Sequence, residues 1–251
     1  MKTETLELIS LRNIGLVNDK TDLIDEIITA LQNQNLLVQD KDIFIVAHTI
    51  VSKWEGRIVD GSTVAISMQA EEIAKRNGFD KIQVELALQE SRKIIRDSKV
   101  LITETHSGLV CNFSGVDKSN APTGYYILLP QDPDASAENL RKLLADRLRK
   151  DIAIIITDTQ GRPWRRGSIN LAIGCAGINA FKHNKGKRDL YGRELQRSMV
   201  CQIDEIASAA ENLMGQSNEK IPIVILRGYK YQSGSEGAND IIRPKHEDMF
   251  R

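Results

Sequence analysis

A mixed α/β fold of the α+β kind is what this 251-residue chain predicts. Three observations point there. Short apolar runs rich in β-branched residues, such as 152–156, alternate with segments whose apolar residues recur every three or four positions. Two strand-like runs, 100–105 and 109–113, are parted only by His106-Ser107-Gly108, a hairpin-type turn. The irregular order of strands and helices does not read as a clean repeat of strand-helix-strand units.

Taken in order, the first helix is predicted over 21–34, where Leu23, Ile24, Ile27, Ile28 and Leu31 share one face. A buried strand follows at 42–51, with Ile43, Phe44, Ile45 and Val46 contiguous. Residues 68–76 and 83–96 carry helical patterns, and the hairpin comes next. A strand is expected at 125–129, then a helix capped by Ser136 and running to about Lys150, with Glu138 in its first turn. A strand at 152–157 precedes the longest helix, predicted over 189–214. Its stripe is Leu195, Met199, Ile203, Ile206, Ala210 and Leu213, and Gly215 is its stop. The last strand is 221–226.

Composition excludes several classes. The 34 basic and 34 acidic side chains cancel, which argues against a protein that coats nucleic acid. No apolar run approaches the roughly 18 residues of a membrane helix, and the N-terminal segment lacks a signal-peptide core. Cys111, Cys175 and Cys201 are too scattered for a zinc cluster or a disulfide framework. The expectation is a cytoplasmic protein with no nucleic-acid or membrane partner. The phosphate-binding P-loop, the dinucleotide glycine fingerprint, the zinc-protease helix and the serine-hydrolase elbow are all missing.

Four polar segments are placed to carry chemistry. In 114–120, Asp117 and Asn120 serve either a turn, by bonding their own backbone, or a site. In 154–167 an apolar strand delivers Asp158 and Thr159, with Arg162, Arg165 and Arg166 just beyond. A carboxylate and hydroxyl for a cation beside guanidinium forks for phosphate suit phosphoryl transfer; a solvated basic loop is the plainer alternative. Segment 214–221 is a simple connection or a nucleotide-contacting loop. In 48–57, Lys53 can meet a phosphate as a point charge, while His48 fits a satisfied core histidine.

These segments together resemble the coenzyme F-420-0:γ-glutamyl ligase family. The matching stretches are IVSKWEGR (50–57), GVDKSN (115–120), LLPQDPDASAENLR (128–141), ITDTQGRPWRRG (156–167), AIGCAGI (172–178), DLYGREL (189–195), and LMGQ followed by IPIVILRG. They span nearly the whole chain in the family's order. The resemblance implies a two-lobed α+β fold, an intertwined homodimer, and one ligase domain over 1–251 without the C-terminal reductase-like domain that some members carry. It implies a ligase that uses GTP to add L-glutamate to the lactyl-phosphate tail of coenzyme F-420-0 during F-420 biosynthesis, releasing GDP. The acceptor carboxylate would attack the γ-phosphate to give an acyl phosphate, which the amine of glutamate would then displace; a second, γ-linked glutamate would follow.

The resemblance also assigns residues. Asp117 and Asp158 match the ligands of one divalent cation, magnesium or manganese, and Thr159 and Gln216 those of a second; potassium is a further candidate ion. Nucleotide-contacting positions correspond to Ile14, Gly15, Leu16 and Val17, to His48, Thr49, Lys53 and Asn120, and to Met214, Gly215, Gln216, Ser217, Asn218, Glu219, Lys220 and Ile221. Arg162, Arg165 and Arg166 are candidates for phosphate or acceptor contacts. Competing readings are an amide ligase with another acceptor or with ATP, a nucleotide-binding regulator without turnover, and a metal-dependent phosphatase.

Overall fold

The structure is a computed structural model that describes residues 4–248; residues 1–3 and 249–251 of the expected 1–251 domain lie outside the described residues. In chain order the strands are β1 (Glu7–Leu11), β2 (Ile43–Ala47), β3 (Ile58–Asp60), β4 (Ser91–Ser98), β5 (Val100–Thr105), β6 (Val110–Asn112), β7 (Tyr125–Ile127), β8 (Ala153–Arg162), β9 (Arg165–Ala176), β10 (Phe181–His183), β11 (Met199–Cys201) and β12 (Ile223–Arg227). The α-helices are α1 (Leu23–Asn33), α2 (His48–Trp54), α3 (Met68–Asn77), α4 (Lys81–Gln89), α5 (Pro133–Leu148) and α6 (Gln202–Met214). The chain is thus mixed α/β with several sheets, as its pattern predicts.

The largest sheet has the order β1-β12-β2-β8-β9, and within it only β2 and β8 run parallel. The stretches 43–46, 153–156 and 223–226 of its central strands are apolar at every position because both faces are covered there. Side chains alternate across the sheet. Phe44, Val46, Ile154 and Ile156 enter a core with α1 and α5, while Ile43, Ile45, Ala153 and Ile155 enter a core with α6. A third apolar cluster is separate from both and joins α3 and α4 to β5 and β7 through Ile73, Val84, Leu101 and Tyr126. Among the described residues no helix is long and apolar enough to cross a membrane.

The structure corrects several expected elements. The 42–51 strand ends at Ala47, and His48 opens α2 despite the β-branched Thr49, Ile50 and Val51. Ile50 and Val51 earn helical geometry by burial in the sheet's core. The helix expected over 83–96 stops at Gln89, and 91–98 is the strand β4; its ladder with β5 carries two irregularities, which break the strand alternation a reader would look for. Only the last half of the 189–214 helix is helical. Residues 184–198 instead form an arm in which Asp189 accepts from the N–H groups of Tyr191 and Arg193, with Gly192 at φ 84° closing the turn. Leu195 and Met199 fell on the helical period of α6 by coincidence. The cap of α5 is Asp132, which accepts from Ala135 N, rather than Ser136, whose hydroxyl donates back to the Asp132 carbonyl.

Candidate functional site

The site is built around the seam between β2, β8 and α2. Where β2 leaves the sheet, α2 begins at once, so one seven-residue helix reaches β8 through His48 and the 117–120 turn through Lys53. His48, at its start, is buried with Nε2 3.3 Å from Asp158 Oδ1. Its Nδ1 lies 3.5 Å from Ser52 Oγ, one turn further on. The carboxylate of Asp158 also accepts from Gln160 Nε2 at 3.3 Å. Burial, with the nearby charge of Asp158 adding to it, pushes the Cys111 thiol up to about 12, which disfavours the thiolate at neutral pH.

At the other end of α2, Lys53 donates to the carbonyl oxygen of Asn120. Burial lowers the pKa of this ammonium, and the charge of Asp117 partly restores it. Asp117 is held in place by a two-way backbone bridge to Ile127. Its side chain accepts from Ser119 N at 2.8 Å and from the Ser119 hydroxyl, so the turn chemistry expected of it is present. Asn120 sits at φ 54°, a left-handed conformation that asparagine tolerates.

Thr159 follows Asp158 directly, and an extended strand sends neighbours to opposite faces. Its hydroxyl therefore joins a different group. It donates to Asn170 Oδ1 at 3.3 Å and accepts from Gln216 Nε2 at 2.7 Å. The Gln216 amide also donates to Glu211, whose pKa is raised by burial, lowered by that bond, and raised again by the charge of Glu219. In the loop after α6, Gly215 takes φ 70°, Ser217 N donates to Glu219, and Gln216 to Lys220 are exposed while Met214 and Ile221 are buried.

The structure thus gathers His48 with Asp158, Lys53 with Asp117 and Asn120, and Thr159 with Gln216. It does not gather all the expected residues. Segment 14–17 is tied to α1: Gly15 N donates to Glu26, and Val17 is buried while Leu16 is exposed. The arginines are a second correction. Instead of a loop beside Asp158, β8 and β9 continue as a ladder out to the Arg162↔Arg165 pair. Four residues of extended chain put Arg162 about 13 Å along the strand from Asp158. Its guanidinium donates to the carbonyls of Arg166 and Gly167 across the hairpin. Ser52, Asn170 and Glu211 are participants that the sequence did not suggest. Ser52 becomes visible once α2 is read as a helix, because it lies one turn from His48.

Among the described residues no three His, Cys, Asp or Glu side chains converge as a protein-only metal cage. The donors offered by Asp117, Asp158, Thr159 and Gln216 are all hard oxygens. That set fits magnesium or manganese, which take one or two carboxylates and complete their shell with water and substrate phosphates.

Comparison with known proteins bears on the whole chain. A family described as F420-0:gamma-glutamyl ligase matches residues 12–228. The coenzyme F420:L-glutamate ligase of Methanothermobacter thermautotrophicus is 41% identical over 249 residues, covering 98% of this chain and 99% of that one. The protein of that name from Methanocaldococcus jannaschii is 44% identical over 215 residues, 85% and 86% of the two chains. That of Archaeoglobus fulgidus is 37% identical over 246 residues, 98% and 96%.

Proposed function

The chain belongs to the F420-0:gamma-glutamyl ligase family, and from that premise we propose that it uses GTP to join L-glutamate to coenzyme F-420-0 in the cytoplasm. It is a ligase that adds glutamate. The observation that carries the finer reading is α2. One short helix holds His48 against Asp158 and Lys53 against the Asp117–Asn120 loop, so two carboxylates, one within β8 and one in a bridged turn, share a seam with an ammonium.

Asp117 and Asp158 would hold one divalent cation, and Thr159 and Gln216 a second. Bound there, such ions supply neutralisation of the charge that builds on a transferring phosphoryl group. The chain's own residues do the rest. Lys53, partly desolvated, meets a phosphate oxygen in place of the Asn120 carbonyl. His48 keeps Asp158 aimed, since a carboxylate only accepts and Nε2 must be the N–H. The acceptor carboxylate attacks the γ-phosphorus, GDP leaves, and an acyl phosphate forms. The glutamate amine then attacks the acyl carbon, phosphate leaves, and the amine proton passes to solvent. No protein nucleophile is needed. The nucleotide would run along 48–53 and Asn120 toward 214–221, with 14–17 at its edge.

A homodimer belongs to the same proposal. The 184–198 arm carries Leu190 and Tyr191 at 100% and 97% exposure, and exposed apolar groups on a projecting hairpin suit a partner surface.

Incubating the protein with GTP, Mn²⁺, coenzyme F-420-0 and L-glutamate, and following GDP and product mass, tests the reading. Product one glutamate heavier, with GDP release that needs both acceptor and glutamate, is expected. GDP release indifferent to omitting either one would overturn it.

A further inference from the structure

A cleft of about 310 Å³ lies where three parts of the chain meet: the end of α4 with the β5–β6 turn, the segment before α5, and the 238–242 segment. It contains none of the residues assigned above. Its volume is at the small end of the range that holds ligands. A second hollow continues it, sharing Ser107, Asn239 and Ile242.

The walls have a definite chemistry. Arg57 Nη2 meets Glu90 Oε2 at 2.5 Å, and both side chains are only about a quarter exposed, 24% and 27%. Arg57 Nε also donates to the Leu129 carbonyl at 3.0 Å, which fixes the guanidinium plane. A guanidinium carries more N–H groups than those two acceptors use. Glu90 is the C-terminal cap residue of α4. A carboxylate at that end of a helix faces the negative pole of the dipole, so it gains from every cation brought to it. His106, also in the lining, has Nε2 3.0 Å from the Gln89 carbonyl, which can only accept. The adjoining hollow is lined by Arg92, which is paired with Glu104, by Arg243, which lies 4.0 Å from Glu247, and by Lys245. One end of the cleft therefore presents a fixed pair of opposite charges, and the other an excess of positive charge.

The cleft lies close to the proposed reaction centre. Ala172 lines it, and its neighbour Leu171 is the cross-strand partner of Asp158. Leu129, Pro130 and Gln131 line it too, two to four residues beyond Ile127, which is bridged to Asp117. In extended chain that is about 7–13 Å.

We propose that this cleft is the amino-acid subsite: it takes an α-amino acid with an acidic side chain, its α-carboxylate on Arg57, its ammonium on Glu90, and its side-chain carboxylate toward Arg92, Arg243 and Lys245. The assignment rests on the ligase reading and names where its second substrate waits. A zwitterion is the ligand whose two charges match a fixed ion pair, and a second carboxylate matches the basic hollow.

Two variants of the full chain test it. Glu90→Gln keeps the shape and an acceptor for Arg57 but removes the charge. Asn239→Trp, on an exposed turn, fills the volume. In each, the KM for L-glutamate is expected to rise tenfold or more, while the KM values for GTP and for coenzyme F-420-0 stay within twofold and the thermal midpoint is kept. If both variants keep the wild-type KM for glutamate, the subsite is wrong and the ligase reading stands. A rise in the acceptor's KM instead overturns the amino-acid assignment. Should Glu90→Gln not fold, the Asn239→Trp result decides alone. If the wild-type protein makes no glutamate-dependent product, the ligase reading itself fails and takes the subsite with it.

Discussion

His48 shows how one ring can be fixed by what its neighbours are able to do. Asp158 only accepts, so Nε2 carries the proton, and Nδ1 is left for the Ser52 hydroxyl. A ring held at both nitrogens positions the carboxylate it touches. His48→Ala is therefore expected to lower turnover about 10- to 100-fold, the usual cost of losing a partner behind a metal ligand. Asp158→Asn removes the ligand charge and is expected to cost more, with circular dichroism unchanged in both. Wild-type turnover in Asp158→Asn would remove Asp158 from the cation site. Asp117 and Asp158 were legible as candidates because short motifs bracket them. Glu211 was not, because it reads as one more polar residue on an amphipathic helix; only the end of α6 at Gly215 brings the Gln216 amide back onto it.

Asp80 illustrates what a single cap does for an element. Its carboxylate accepts from the N–H groups of Ile82 and Gln83 at the start of α4, from the buried Tyr126 hydroxyl at 2.7 Å, and from Lys118. Burial raises its pKa, but these bonds outweigh it and hold the carboxyl below its ordinary 3.8. A depressed pKa means stability that is present above 3.8 and is lost as the pH falls through the folded-state value. Asp80→Ala is expected to cost about 2–4 kcal/mol, a lost cap plus an unpaired buried hydroxyl. Thermal unfolding followed from neutral to acid pH should show the wild-type midpoint falling toward that of Asp80→Asn below pH 3.8; parallel curves would contradict the linkage. Elements were legible in the sequence where burial was one-sided or complete. The cores of β2 and β8 announced themselves as apolar runs, and α1 and α3 as stripes. The twelve-residue β9 did not, because Arg165-Arg166-Gly167-Ser168 has no strand composition and is held by pairing with β8 alone. The α4–β4 junction was missed because Ile94 and Ile95 continue the apolar count of the preceding helix while the backbone has already extended.

At the scale of the whole molecule, the oxygen donors are spread over the 115–120 turn, β8 and the loop after α6. Among the described residues no protein-only cage exists; on the proposed reading a phosphate would finish it, so cation and nucleotide should bind together. Mn²⁺ with GTP is expected to raise the thermal midpoint by more than the sum of either alone, and a chelator to stop turnover until Mg²⁺ or Mn²⁺ is returned. Full turnover in the chelated protein would refute the cation sites. The arm is expected to hold two copies together: Leu190→Asp with Tyr191→Asp should halve the mass seen by light scattering while leaving the fold intact, and an unchanged mass would place the contact elsewhere. The order of the large sheet has a consequence in time as well as in space. β12, formed from residues 223–227, lies between β1 and β2, so the first and second strands to be made are separated by the last. During synthesis β1 has no neighbour in this sheet and one edge of β2 stays unpaired until almost the whole chain has left the ribosome. Such late, long-range closure is slow and leaves an apolar edge open to aggregation. Nascent chains stopped at residue 220 should be cut readily by protease and those extended past residue 228 should resist, which ties the survival of this protein to how quickly its final strand arrives.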